Sequence, residues 1–135
     1  MIDISMFVTL YLLSIPIFIL IDAVWLYTAS SWLYKPRIGH LMGEVNWLAA
    51  TIFYLIFLVG LVFFAIYPSV IGGSQQSALL MGGLFGFFTY ATYDLTNQAT
   101  LKGWSWVITI ADLFWGTFLG ATVSGSVFYL YGVLF

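Results

Sequence analysis

Cysteine is absent from the 135-residue chain. That removes disulfides, thiolate nucleophiles, cysteine-bound zinc and thiol redox chemistry. Charge is nearly as scarce. Lys and Arg number 3, Asp and Glu 5, and charged residues make up 6% of the sequence, against roughly 25% in a soluble domain. So few charges cannot cover a water-facing surface. The basic residues Lys35, Arg37 and Lys102 form no stripe, which excludes nucleic acid as a partner. The glycine pairs Gly72-Gly73 and Gly82-Gly83 lack the strand–turn–helix setting of a nucleotide-binding loop.

What the chain has instead is apolar length. Hydrophobic residues make up 63% of it, and the mean hydropathy is +1.08. Four apolar runs, at about residues 6–32, 46–67, 78–98 and 107–131, each approach or exceed the roughly 20 residues that cross a bilayer. The expectation is one all-α domain over residues 1–135, an integral-membrane four-helix bundle in the lipid bilayer. The first run lacks a basic leader and reads as a retained span rather than a cleaved signal. Its excess length predicts a tilt, a kink at Pro16 or an interfacial turn. The stretch from Lys35 to Glu44 reads as a loop, broken by Pro36, Gly39 and Gly43, and the second run reads as stopping at Pro68. With four spans, the loops that hold Lys35, Arg37 and Lys102 share one side. The positive-inside rule makes that side cytoplasmic, with both termini outside, in a bacterial inner membrane. Trp32, Trp47, Trp104 and Trp106 flank the same loops, as interfacial indoles do.

Three aspartates interrupt the apolar runs. An Asp at the centre of a span costs about 2.5–3.5 kcal/mol on the insertion scale, so Asp22, Asp94 and Asp112 are expected to face a bundle interior or a wet cavity. Counted along the helices from the basic loops, all three fall in the cytoplasmic half, where they can converge. Tyr90, Tyr93, Asp94 and Asn97 follow i, i+3, i+4, i+7 spacing and form one stripe. Trp25 lies one turn from Asp22, Trp115 lies one turn from Asp112, and Asn46 opens the second run. Three carboxylates at one depth in a low dielectric cannot all stay ionised without compensation. Either some hold protons, or a cation lies among them. That cation could be Lys35, Arg37 or Lys102 folding back, a hard metal ion held by Asp22, Asp94 and Asp112, or a ligand ammonium beside the aromatic faces. The plainer alternative is that these polar groups only hydrogen-bond the helices together.

Asp22-Ala23-Val24-Trp25 is echoed by Asp112-Leu113-Phe114-Trp115, with Thr28 and Thr117 following. The echo leaves open an inverted helical-hairpin pseudo-repeat. Gly116-Thr117-Phe118-Leu119-Gly120, extended by Ser124, offers close packing either within the bundle or between two copies in a homodimer. His40 reads as a solvated loop residue.

Gly39-His40-Leu41, Asn46-Trp47-Leu48-Ala49-Ala50, the segment from Tyr90 to Leu101 and Asp112-Leu113-Phe114-Trp115-Gly116-Thr117 together resemble the bacterial membrane-protein family catalogued as domain of unknown function 2177. The resemblance spans nearly the whole chain. It implies four spans and no settled activity, and it leaves cofactors unknown.

Three functional readings follow. The first is a cytoplasmic-side pocket that binds or acts on a small or lipid-like, cationic ligand. In it Asp94 is the first choice of acid or base, Asp22 and Asp112 position charge, and Trp25, Asn46, Tyr90, Tyr93, Asn97 and Trp115 contact the ligand. The second is a proton- or ion-coupled transporter, although no ionisable side chain marks the outer halves of the spans. The third is a non-catalytic membrane assembly subunit.

Overall fold

A computed structural model describes residues 2–135. It is an all-α bundle of four long helical rods. The first rod is α1 (Ile4–Ala29), followed by a π-turn (Ser30–Tyr34), α2 (Lys35–Ile38) and a 3₁₀ turn (Gly39–Leu41). The second is α3 (Trp47–Leu61), a π-turn (Val62–Ile66) and α4 (Tyr67–Ile71). The third and fourth are α5 (Gln75–Thr100) and α6 (Trp106–Leu134). Each long helix opens on a polar cap: Asp3, Asn46, Ser74 and Ser105 each accept a bond from a backbone N–H of the first turn, which satisfies donors that lipid cannot.

The stretch from Lys35 to Leu41 is helical, not a loop, and the second rod runs past Pro68 to Ile71. Both departures have the same cause. Pro lacks an N–H, and its ring collides with the carbonyl four residues back. Each of these prolines is the second residue after a π-turn, and that wider turn lets the rod continue through it. At Pro36 the freed carbonyl is re-used, because Arg37 donates Nη1–H to Trp32 O at 2.9 Å and to Leu33 O at 3.2 Å. Near Pro68 the Ser69 hydroxyl donates to Ala65 O at 2.7 Å.

Three rods are long and apolar enough to cross a membrane: Ile4–Leu41, Trp47–Ile71 and Trp106–Leu134. The third rod, α5, lies outside that set among the described residues. The helix α5 has 26 residues, about 39 Å at 1.5 Å per residue, but it is rich in Gln, Thr and Tyr. Its threonines hide their polarity: Thr92, Thr96 and Thr100 each donate to the carbonyl four residues back.

Neighbouring rods run antiparallel. Asp22 meets Tyr54 and Phe7 meets Tyr67 across the first pair, and Gly82 faces Gly120 while Gly86 faces Gly116 across the last. At that last crossing a methyl group on Gly86 would overlap the Gly116 carbonyl, and one on Gly82 would overlap the Gly120 carbonyl and the Ser124 hydroxyl. The Gly116–Gly120–Ser124 motif is therefore used within the chain, against α5. Gly116 also leaves room for the ring of Tyr90.

The bundle is sealed at one end. Leu10, Leu61, Val62, Ala65, Ile66, Leu119, Val123 and Val127 are all inaccessible there. At the other end α3 diverges, and its only buried residues are Phe57, Leu58 and Leu61. A second cluster, Ala29, Leu33, Ile38 and Ile108, ties the end of the first rod to the start of α6. His40 packs near Gly103, so the two basic segments lie at this same end. Replacing Gly86 by Ala is expected to lower the midpoint of thermal unfolding in detergent by the equivalent of about 1–3 kcal/mol, because the obstructing atom is backbone. Gly132→Ala, where nothing lies within 4 Å, should leave the midpoint unchanged or raise it, by up to about 1 kcal/mol.

Candidate functional site

Between the sealed end and the basic end lies a cavity of about 390 Å³, to which all four rods contribute. From the first rod come Asp22, Trp25, Leu26 and Tyr34, and from α3 come Phe53 and Tyr54. Thr89, Tyr90 and Tyr93 come from α5, and Asp112 and Trp115 from α6. Phe18 and Phe57 lie beneath it, their rings 5.4 Å apart, and Phe57 meets the edge of Tyr90 at 6.5 Å.

The two Asp-x-x-Trp motifs face one another inside this cavity. Trp25 and Trp115 stack with centroids 4.5 Å apart and planes 9° from parallel. Each indole then reaches toward the other helix's aspartate. Trp115 donates Nε1–H to Asp22 Oδ1 at 3.2 Å. Trp25 donates to the Tyr34 hydroxyl at 2.9 Å, which in turn donates to Asp112 Oδ1 at 2.5 Å. The second oxygen of Asp22 accepts from the Tyr54 hydroxyl at 2.8 Å. The sequence echo thus corresponds to a local pairing across antiparallel α1 and α6.

Asp22 and Asp112 are 5% and 7% exposed, and both line the cavity. Asp94 is 0% exposed and does not line it. Its carboxyl lies between α5 and α6, within hydrogen-bonding reach of Asp112, and neither of its oxygens receives a bond from any donor group. The three carboxyls converge, but in two layers, with Asp112 between Asp94 and the cavity.

Among the expected ligand contacts, Trp25, Tyr90, Tyr93 and Trp115 line the cavity, while Asn46 and Asn97 do not. Asn46 caps α3 by accepting from Ala49 N at 3.0 Å. Tyr93 is 61% exposed and sits at the rim, edge-on to Trp104. The Tyr90 hydroxyl makes no hydrogen bond among the described residues, so it is a free donor toward the cavity.

Among the described residues no three His, Asp or Glu side chains are grouped so as to hold an ion. Asp22 is engaged with Tyr54 and Trp115, and Asp112 with Tyr34. The basic side chains do not fold back either. Arg37 is committed to backbone carbonyls, and Lys35 and Lys102 are exposed. The partners of the carboxyls are neutral phenol and indole groups.

Tyr34 and Tyr54, which hold the two cavity carboxyls, carry no signal in the sequence. In a regular helix Tyr34 lies nine residues from Trp25, about half a turn away at 3.6 residues per turn. The π-turn at Ser30–Tyr34 changes that phase and brings the two side chains together. The excess length of the first run and Pro36 are the sequence features that point to an irregular turn there. Tyr54 sits in an otherwise apolar run, where a tyrosine does not stand out.

No curated protein and no solved structure matches the chain. The sequence model of one family, described as predicted membrane protein (DUF2177), matches residues 7–129, and the chain belongs to that family.

Proposed function

We propose that the protein binds an amphiphilic organic cation from the membrane, with the cationic group between Asp22 and Asp112 and the apolar tail leaving sideways between helices. One observation carries the reading: two buried carboxyls face a shared cavity with only neutral partners. A carboxylate so placed is under-compensated, and the remaining walls are tyrosine and tryptophan, whose faces attract cations. The cavity volume of about 390 Å³ falls within the range of small-molecule sites, about 300–1,000 Å³. Leu26, Phe53 and Tyr93 are exposed cavity residues on three different rods. With α3 diverging beside them, they form a lateral opening into which an acyl or alkyl chain fits.

On this reading all four rods cross the membrane. Helix α5 spans because its threonine hydroxyls bond internally, Tyr90 and Tyr93 face the cavity and Asp94 is enclosed, and the basic end is cytoplasmic. The sealed end argues against a transport path, since no polar passage continues through Leu61, Val62, Leu119 and Val123. A purely structural role for the aspartates is the remaining competitor.

Two measurements test these points. The chain has no native cysteine, so a single introduced thiol reports its own side. In sealed vesicles Gln76→Cys is expected to react with an impermeant maleimide from the side opposite to Leu101→Cys, and labelling of both from one side would remove α5 from the membrane. Dodecyltrimethylammonium is expected to quench the Trp25–Trp115 fluorescence in nanodiscs saturably, whereas an anionic dodecyl probe should not. Asp22→Asn and Asp112→Asn should each weaken that binding by about tenfold or more, the equivalent of one charge-assisted contact of about 1.5–3 kcal/mol. Unchanged affinity in folded variants would leave the aspartates as structural groups.

A further inference from the structure

The cavity reading uses Asp112 and Asp22, and leaves Asp94 without a task. Asp94 is fully inaccessible, lies one layer behind Asp112, and receives no bond from any donor group. A buried carboxyl in that state is costly, and Asp94 sits in a helix whose own neighbours supply nothing to it. The groups that face the Asp94–Asp112 contact are all acidic or phenolic. They are Asp22 from α1, Tyr34 from the π-turn, Tyr54 from α3 and Tyr90 from α5. Among the described residues no lysine, arginine or histidine reaches it, and the Tyr34 hydroxyl is already given to Asp112.

Two carboxyls facing each other attract only if one proton lies between them. Which of the two carries it follows from their other partners. A carboxylate is stabilised by donors and by access to polar surroundings. Asp112 has both: the Tyr34 hydroxyl on Oδ1 and an edge on the cavity. Asp94 has neither.

We infer that Asp94 is a neutral carboxylic acid that donates its O–H to Asp112, and so acts as a positioning residue that holds Asp112 as the carboxylate presented to the cavity. In this arrangement Asp112 accepts from Tyr34 on one side and from Asp94 on the other, and its remaining lone pairs face the ligand. Asp94 contributes a hydrogen and no charge. The inference rests on the cavity reading for what Asp112 does with its charge, but the protonation assignment stands apart from it.

The first experiment reads the assignment alone. Infrared difference spectroscopy of the protein in nanodiscs at neutral pH, wild type against Asp94→Asn, is expected to show a protonated-carboxyl C=O band that shifts in D₂O and is lost in the variant. No such band, or a band that survives in Asp94→Asn and is lost in Asp112→Asn, would overturn the proposal. The second experiment reads the consequence with dodecyltrimethylammonium as probe. The Asn amide donates to Asp112 as the acid does, so Asp94→Asn should bind within about threefold of wild type, whereas Asp94→Leu, which removes the donor, should weaken binding by about tenfold or more. A tenfold loss in folded Asp94→Asn would overturn the neutral assignment. So would failure of Asp94→Asn to fold where Asp112→Asn folds, because the amide replaces a neutral acid nearly atom for atom. If wild type ignores the probe while the infrared band behaves as expected, the cavity reading fails and the assignment of the proton stands.

Discussion

The close approach of α5 to α6 is the contact on which the rest of the site depends. In lipid there is no hydrophobic drive between helices, so tight packing and polar contacts must hold them. Here Gly82 and Gly86 sit on the carbonyls of Gly120 and Gly116, with no space for a single added carbon. That contact fixes the register of the pair. One turn beyond Gly86 the register places the ring of Tyr90 over Gly116, and another turn brings Asp94 beside Asp112. The glycines therefore set the depth and facing of the carboxyls without touching a ligand. Asp94 can be wholly enclosed because the backbones on either side of it are so near.

The first rod supplies the complementary half through an irregularity. A continuous α-helix cannot present Asp22, Trp25 and Tyr34 to one cavity, because Tyr34 falls on the far side. The π-turn before Pro36 solves this by changing the helical phase, and Arg37 repairs the carbonyls that the proline leaves open. Arg37, a natural candidate for neutralising the aspartates by charge alone, is thereby held by the backbone it repairs. Its absence from the cavity is a consequence of how the rod continues through Pro36. The acidic character of the site and the helical course of residues 30–41 have one cause.

The parts legible in the sequence are those with a large energetic signature. Asp22, Asp94 and Asp112 stood out because carboxyls are costly in an apolar helix, and the stripe from Tyr90 to Asn97 because helical spacing is regular. The cap role of Asn46 follows from its position just before an apolar run, but a polar residue at a membrane boundary reads equally well as a ligand contact. What the sequence did not reveal depends on geometry that single residues do not encode. The layering of Asp94 behind Asp112 needs the glycine register. The bond from Tyr34 needs a π-turn, and the sequence at Pro36 reads more simply as a break. Helix α5 is the most polar of the rods, and hydropathy assigns a full cost to threonine hydroxyls that the helix backbone in fact satisfies.

The position of the basic residues bears on how a cation would arrive. Lys35, Arg37 and Lys102 lie at the end of the bundle nearer to the acidic cavity, so on the proposed reading a soluble cation approaching from water would first meet like charge. At physiological ionic strength such charges are screened beyond about 8 Å, so they oppose only the last part of the approach, at the rim itself. A cation carried by a lipid-like tail has another route. It already lies in the membrane interface, and between the diverging α3 and its neighbours it meets Leu26, Phe53 and Tyr93 rather than lysine or arginine. The same rim attracts anionic headgroups and leaves them outside, where Asp22 and Asp112 would repel them. On the proposed reading, basic rim, acidic interior and lateral opening would select together for charge sign and for a membrane-borne ligand, a selection that none of the three would achieve alone.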